Sequence, residues 1–280
     1  MRRSLSLLVL AFVLAGCGSS RPQTDSFRVL VYNIHAGKDA AGVDNLERVA
    51  EIINSADAHL VLLQEVDRNT TRSGNVDQLA RLEELTTMHG AFGKSLDYQG
   101  GEYGIAILSR WPIAATDVIP LPTDPPQPRS GGSIEPRIAF FAVTNGIRVV
   151  NTHLDASRDE TYRLQEIAHL LETAKADEPL LIGGDFNAEP GSAVQQRALA
   201  SGLRDAWTAC GEGADLTFPA SAPVKRIDYL YLSGDADCTE ARVLATTASD
   251  HRPLLVTVER PIPRMEDPRE RGRRRGAGRM

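Results

Sequence analysis

Residues 138–153 read IAFFAVTNGIRVVNTH. Two runs rich in β-branched, aliphatic and aromatic side chains, Ile138–Thr144 and Ile147–Thr152, flank Asn145-Gly146. Asn-Gly tolerates the positive φ that both central positions of a type I′ turn require, so this stretch is predicted to be a tight β-hairpin. Its strands are antiparallel. A sheet that contains them is not the all-parallel sheet of a Rossmann domain.

Working outward, the same criteria predict strands at Phe27–Tyr32, Leu60–Gln64, Gly104–Ser109, Leu180–Gly183, Ile227–Leu232 and Leu254–Val258. Helices fall between them. Asp44 is placed to cap a helix whose Leu46, Val49, Ala50 and Ile53 share one face. A second carries Leu79, Leu82 and Leu85 and stops at Gly90. A third, over Thr161–Ala176, presents Leu164, Ile167, Leu170, Leu171 and Ala174. A fourth follows Pro190-Gly191-Ser192 and ends before Gly202. Helices alternate with strands and hairpins intrude, which fits an α/β fold of two packed sheets flanked by helices. No Gly/Ser/Pro linker divides the middle, so residues 27–259 are expected to form one domain.

The ends read differently. Arg2 and Arg3 precede an apolar stretch, Leu5 to Leu14, that is too short to span a bilayer. Leu14-Ala15-Gly16-Cys17 follows and resembles the lipobox of bacterial lipoproteins. The resemblance implies a signal peptide over 1–16, a lipid on Cys17 and a membrane partner; an ordinary signal peptide with a coincidental Cys is the alternative. Residues 17–26 are small and polar, as a tether is. Gly18 and Ser19 rather than Asp follow the Cys. By analogy with sorting in enteric bacteria, this favours the outer membrane where one exists, with the domain periplasmic or extracellular. The stretch 260–280 holds an excess of Arg without apolar periodicity and reads as a solvated tail, or as one that touches anionic head groups.

The formal charge is −6, and the Arg-rich ends mean that the stretch between them is more acidic still. Nucleic-acid binding draws mainly on Lys and Arg contacts to phosphates, so this balance counts against a general nuclease while leaving room for a local basic patch. Apart from Cys17 the cysteines are Cys210 and Cys238. Export permits a disulfide between them, or they stay unpaired; metal-ligand spacing is absent.

Polar side chains recur at the predicted strand ends, where a scaffold can hold them facing a cleft. One carboxylate at a strand end is usually a turn or helix cap. The set is another matter: Tyr32-Asn33-Ile34, Gln64-Glu65-Val66, Asn151-Thr152-His153-Leu154, Gly184-Asp185-Phe186-Asn187, Arg226-Ile227-Asp228-Tyr229 and Ser249-Asp250-His251-Arg252-Pro253. Together, and in this order, they resemble the endonuclease/exonuclease/phosphatase superfamily. Glu135-Pro136-Arg137, the run from Gly104 to Arg110 and Thr217-Phe218-Pro219-Ala220 look like its small secreted bacterial members. Many relatives carry Asn where Ile105 stands, so no role passes to that position.

The resemblance implies a four-layer α-β-β-α sandwich with two mixed sheets, and a Mg²⁺-dependent hydrolase of phosphate esters, with Mn²⁺ as an alternative ion. Mg²⁺ takes hard oxygen ligands and keeps several waters, so one or two carboxylates suffice. Glu65 is the expected ligand, supported by Asn33 and by Asp250 through a water. Asp185 and Asn187 would orient the attacking water and a phosphate oxygen. Asp228 would fix the tautomer of His251, and the general base is either His251 or Asp185. His153 would donate to the phosphoryl oxygen and Arg137 would fork onto a phosphate, unless it serves a structural salt bridge. His35 either lines the cleft or lies on the surface. Trp111 and Trp207 are expected in the core, and His59, His89 and His169 on the surface or at helix ends.

Three functions compete. The first is a monomeric phosphomono- or phosphodiesterase acting on a lipid head group, an inositol phosphate or another small ester. The second is a secreted nuclease. The third is a binding lipoprotein without activity, which predicts loss of at least one motif residue; none is lost.

Overall fold

The computed structural model describes residues 24–126, 135–174 and 180–261. In chain order the elements are β1 (Thr24–Asn33), α1 (Leu46–Ser55), β2 (Leu60–Arg68), α2 (Gln78–Thr86), β3 (His89–Tyr98), β4 (Gly101–Ser109), β5 (Ile113–Pro120), β6 (Ile138–Thr144), β7 (Ile147–His153), α3 (Thr161–Thr173), β8 (Leu180–Asp185), α4 (Ala193–Ala200), β9 (Arg204–Asp205), α5 (Ala206–Cys210), β10 (Asp228–Leu232), β11 (Asp237–Val243) and β12 (Leu254–Pro261).

They build two six-stranded sheets, ordered β11-β12-β1-β2-β4-β3 and β5-β6-β7-β8-β10-β9. The hairpin forms as its sequence predicts: Asn145 and Gly146 both take positive φ, and Thr144 pairs with Ile147. Each sheet also holds a parallel pair, β1 with β2 and β7 with β8. A helix connects each pair, α1 in the first and α3 in the second. The sheets are therefore mixed.

Apolar side chains fill three layers. Val29, Val31, Leu62, Phe140, Val149 and Leu230 pack between the sheets. Val49 and Ile53 of α1 and Leu82 of α2 cover the outer face of the first sheet. Ile167 and Leu170 of α3 and Val194 of α4 cover the second. Each fully buried aliphatic contributes about 1.5–3 kcal/mol. The result is the four-layer sandwich.

A polar tie crosses the inner layer. Gln64 donates to Asn151 Oδ1 (2.6 Å), and Asn151 Nδ2 donates to the carbonyls of Leu63 (2.8 Å) and Ala106 (2.9 Å). This bond pattern fixes one sheet against the other just below the strand ends, because any slip would strand buried amides.

Several boundaries differ from expectation. Asn45, not Asp44, precedes α1, and Asp44 instead pairs with Lys38. Helix α2 ends at Thr86, where Thr87 turns left-handed, and Gly90 is already in β3. Thr24–Ser26, read as tether, begin β1, and Arg260-Pro261, read as tail, end β12. Arg260 reaches Asp25 (3.3 Å) and the carbonyl of Asn145 (2.8 Å), which holds these termini on the sheet. Cys210 and Cys238 form a disulfide that ties α5 to β11. Trp111 and Trp207 are only partly buried against the inner core, and His59 stacks on Trp111. The signal peptide, Cys17 and residues 262–280 lie outside the described residues. Among the described residues no helix is long and apolar enough to cross a membrane.

Candidate active site

Strands of both sheets end at one cleft of about 400 Å³. Each central parallel pair delivers two side chains from its carboxyl end. Asn33 closes β1, and Glu65 lies near the end of β2. His153 and Asp185 are register partners that close β7 and β8.

Glu65 reaches the cleft through a local irregularity. Its φ is 57°, left-handed for a non-glycine residue, and the pairing of β2 with β4 shifts register between Leu63 and Val66. A bulge of this kind re-aims one side chain at a functional rim. Gly184 serves the opposite wall. Its φ is 144°, and a Cβ there would lie 1.9 Å from the carbonyl oxygen of Thr152. Only glycine lets β8 lie this close to β7 with Asp185 next in line.

The polar contacts form one connected set. Asn33 Nδ2 donates to Glu65 Oε1 and to Asp185 Oδ2, both at 3.1 Å, while its Oδ1 accepts from the His35 N–H. Asp185 Oδ2 also stands 3.6 Å from His153 Nε2 and 3.6 Å from His251 Nε2. Its Oδ1 accepts from the Asn187 N–H at 2.9 Å, and Asn187 Nδ2 is spent on the carbonyl of Leu154. Asp228, the first residue of β10, holds His251 Nδ1 at 2.9 Å. Ser249 secures the last loop by donating to the carbonyl of Asn33 at 2.7 Å.

Burial sets the charge states. Removal from water pushes the Asp185 carboxyl up to about 7, with repulsion from Asp228 adding to it and His251 opposing it. Burial also opposes charge on His251, but the carboxylates of Asp228 and Asp185 outweigh it and push the imidazole up to about 10. His251 is accordingly an imidazolium at neutral pH.

Arg137 is buried beside β6 and gives one edge to Glu135 (2.5 Å), which also accepts from the Tyr103 hydroxyl. The salt-bridge alternative for Arg137 is thus realised while its side chain still lines the cleft. Asp250 lines it too, with half-exposed His35 3.9 Å away.

The structure brings together every expected site residue that it describes: Asn33, Glu65, Arg137, His153, Asp185, Asn187, Asp228, Asp250 and His251. It adds some that sequence reasoning passed over. Arg72 forks onto buried Asp67 and lies over Tyr98 and Tyr103 at 4.8 and 5.3 Å, forming a far wall of the cleft. Phe218 packs its ring 4.8 Å from that of His251. Phe218 was visible within a quoted run; Arg72 carried no signal.

Among the described residues, Asp185, Asp228 and His251 bring metal-capable atoms within 4.8 Å of one another. Within this trio His251 already supplies a cation to both carboxylates. Glu65 and Asp250 have cationic neighbours only at longer range among the described residues, His35 lying 3.9 Å from Asp250, and with the Asn33 amide they offer the hard oxygens that Mg²⁺ or Mn²⁺ takes. The cleft carries Glu65, Glu135, Asp185 and Asp250, while its arginines pair with Asp67 and Glu135. That carboxylate excess fits a divalent cation.

Acids, amides and histidines from both sheets of the sandwich thus converge where its strands end. The sequence profile of the Endonuclease/Exonuclease/phosphatase family matches residues 30–251, and the chain belongs to that family of phosphoesterase and nuclease hydrolases. It is 30% identical to the protein YbhP of Escherichia coli K12 over 250 residues, covering 84% of this chain and 97% of that one. Its fold is similar to an endonuclease/exonuclease/phosphatase of Beutenbergia cavernae, with a TM-score of 0.71, 24% identity, and 85% and 72% of the two chains covered. It is also similar to a mannosyl-6-phosphatase of Bacteroides thetaiotaomicron, with a TM-score of 0.67, 20% identity, and 83% and 99% covered.

Proposed function

We propose that this chain is a divalent-metal-dependent phosphoesterase acting on a small or lipid-linked phosphate ester, held at a membrane by a lipid on Cys17. The observation that carries the reading is the position of Asp185. Its buried carboxylate lies between the Nε2 atoms of His153 and His251, 3.6 Å from each, and is joined through Asn33 to Glu65.

In this reading the two proton-handling roles divide. Asp185, with its affinity for protons raised, accepts the proton of the attacking water. His251, kept charged by Asp228, donates to the phosphoryl group, and His153 hydrogen-bonds the oxygen on which charge builds. Asn187 holds Asp185 and the neighbouring loop in register, and Arg137 presents its remaining N–H groups to the phosphate. Glu65, Asn33 and Asp250 would hold Mg²⁺ or Mn²⁺, which when bound neutralises phosphoryl oxygens and favours departure of the leaving oxygen.

Hydrolysis of a panel of phosphomono- and phosphodiesters, each with Mg²⁺, with Mn²⁺ and with chelator, tests the reading. Turnover of at least one small ester that chelation abolishes is expected. No turnover of any ester under any condition would sink it. Plasmid and single-stranded DNA belong in the panel as poor substrates, at low salt as well, since electrostatic binding is strongest there. For the anchor, wild type should enter the detergent phase and Cys17→Ser should not. Equal partitioning of both into water defeats that part alone.

A further inference from the structure

Past Asn187 and His251 the cleft opens into a second lobe of about 730 Å³, and the two lobes differ in charge. In the first, the arginines are neutralised by carboxylates and several acids remain. In the second, Arg158, Arg163 and Lys225 face Glu160 and Glu189. Arg158 and Lys225 are exposed, and among the described residues neither forms a salt bridge or a side-chain hydrogen bond. Arg163 is different: it is only 5% exposed. Its Nη1 donates to the carbonyls of Asp155 (2.9 Å) and Ser157 (2.5 Å), while its Nε is sealed from solvent with no hydrogen-bond partner. A ligand in the lobe does not reach that Nε, and Glu166 and Asp159 lie near the Arg163 charge, so Arg158 and Lys225 are the cations open to an anion. Three cationic side chains thus line the lobe where the candidate catalytic cluster ends, with His251 at the junction.

We infer that this lobe is an anion subsite, which takes a second phosphate or carboxylate of a small substrate whose scissile phosphate sits among His153, Asp185 and His251. The inference rests on the phosphoesterase reading and narrows its substrate to esters that carry a second anionic group. Charge argues for a small occupant. A polyanion is held by many phosphate contacts, and here three cations stand among two acids on a chain of net charge −6. The charge step across the cleft also sets an orientation, with the extra anion away from Glu65 and Asp250.

The test compares glucose 1,6-bisphosphate with glucose 6-phosphate on wild type, on the Arg158→Ala/Lys225→Ala double variant and on Lys225→Glu. Wild type should favour the bisphosphate in kcat/KM by about tenfold, the scale of one or two exposed charge contacts, and less so in high salt. The double variant should lose that preference through KM, and Lys225→Glu should reverse part of it, with the monophosphate little changed in both. A wild type without preference, or a preference that survives both variants, overturns the subsite. Cleavage of a DNA oligonucleotide more efficiently than the bisphosphate overturns the small-substrate class.

If wild type hydrolyses neither sugar phosphate, the phosphoesterase reading is decided by the ester panel. Calorimetric titration with inorganic pyrophosphate in chelator then decides the lobe on its own. Binding that weakens about tenfold in the double variant supports the subsite. Equal binding by both proteins, or no binding by wild type, overturns it.

Discussion

Asp228 Oδ2 stands 2.9 Å from His251 Nδ1, which turns the other ring nitrogen, Nε2, towards Asp185. Orientation of the imidazole therefore depends on this buried carboxylate, which is also the main group that keeps the ring charged. If the two act as a unit their losses do not add. His251→Ala and Asp228→Asn should each lower turnover by about 10²-fold or more, with the double variant little worse than His251→Ala alone. Steady-state rates and thermal melting on the three proteins check this, and additive rate losses in folded protein would rule the unit out. A pH profile adds a second reading. Activity that needs the imidazolium should fall as pH rises through about 10 in wild type. In Asp228→Asn that alkaline limb should move to lower pH, because the main cause raising the imidazole is gone.

Glu65 sits on the bulge of β2, and among the described residues the Asn33 amide is its one side-chain hydrogen-bond partner. Glu65→Gln keeps the shape and removes the charge. Metal affinity, measured by calorimetry, should drop while the melting temperature holds. Unchanged Mg²⁺ dependence in a folded variant would show that another group is the principal ligand.

The Cys210–Cys238 disulfide spans 28 residues of sequence and lies away from the cleft, between α5 and β11. A loop of this length constrains the unfolded chain by about 3 kcal/mol in the loop-entropy model. The Cys210→Ser/Cys238→Ser variant should be less stable to urea by an amount of that order. Its turnover, corrected for folded fraction, should match wild type; a variant as stable as wild type would mean that packing of α5 alone holds this corner.

The pattern of what the sequence revealed has a physical cause. The eight strands expected from apolar runs are the eight interior strands, and the four that escaped notice, β3, β5, β9 and β11, are the sheet edges. An interior strand is covered on its sides and faces and reads as a near-continuous apolar run. Edge strands keep solvent on one side and carry charge, as in the Asp237–Val243 stretch DCTEARV, so their periodicity is diluted. The candidate site was legible because most of its members stand at or beside the ends of interior strands, within motifs continuous in the sequence. Arg72 was not, since it lies in a short helical turn after β2, and only the fold brings Tyr98 and Tyr103 beneath it. The basic lobe was hidden for a related reason: Arg158, Arg163 and Lys225 are dispersed in a chain whose net charge is negative.

Keeping Asp185 ready to take a proton has a cost in stability that varies with pH. Its carboxyl is raised from the ordinary carboxylate range to about 7 by burial and by the neighbouring Asp228. Unfolded, the same group titrates near 3.9. Between about pH 4 and 7 the folded protein therefore holds a proton that the unfolded chain has lost, and stability from this group falls as pH rises through that window. His251 acts in the same direction at higher pH. Its contribution is complete below about 6.5, the ordinary value, and is lost as pH climbs through about 10. The melting temperature of metal-free wild type should thus decline from pH 5 to pH 8. Asp185→Asn cannot ionise, so its decline over the lower half of that range should be shallower, even though the substitution gives up the hydrogen bond from Asn33 and abolishes turnover. Added Mg²⁺ should flatten the wild-type curve as well, because a cation in the cleft favours the carboxylate. Melting curves from pH 4 to 9, with and without Mg²⁺, separate these contributions. Parallel curves for wild type and Asp185→Asn would mean that Asp185 is already ionised at low pH and not poised to take a proton from water.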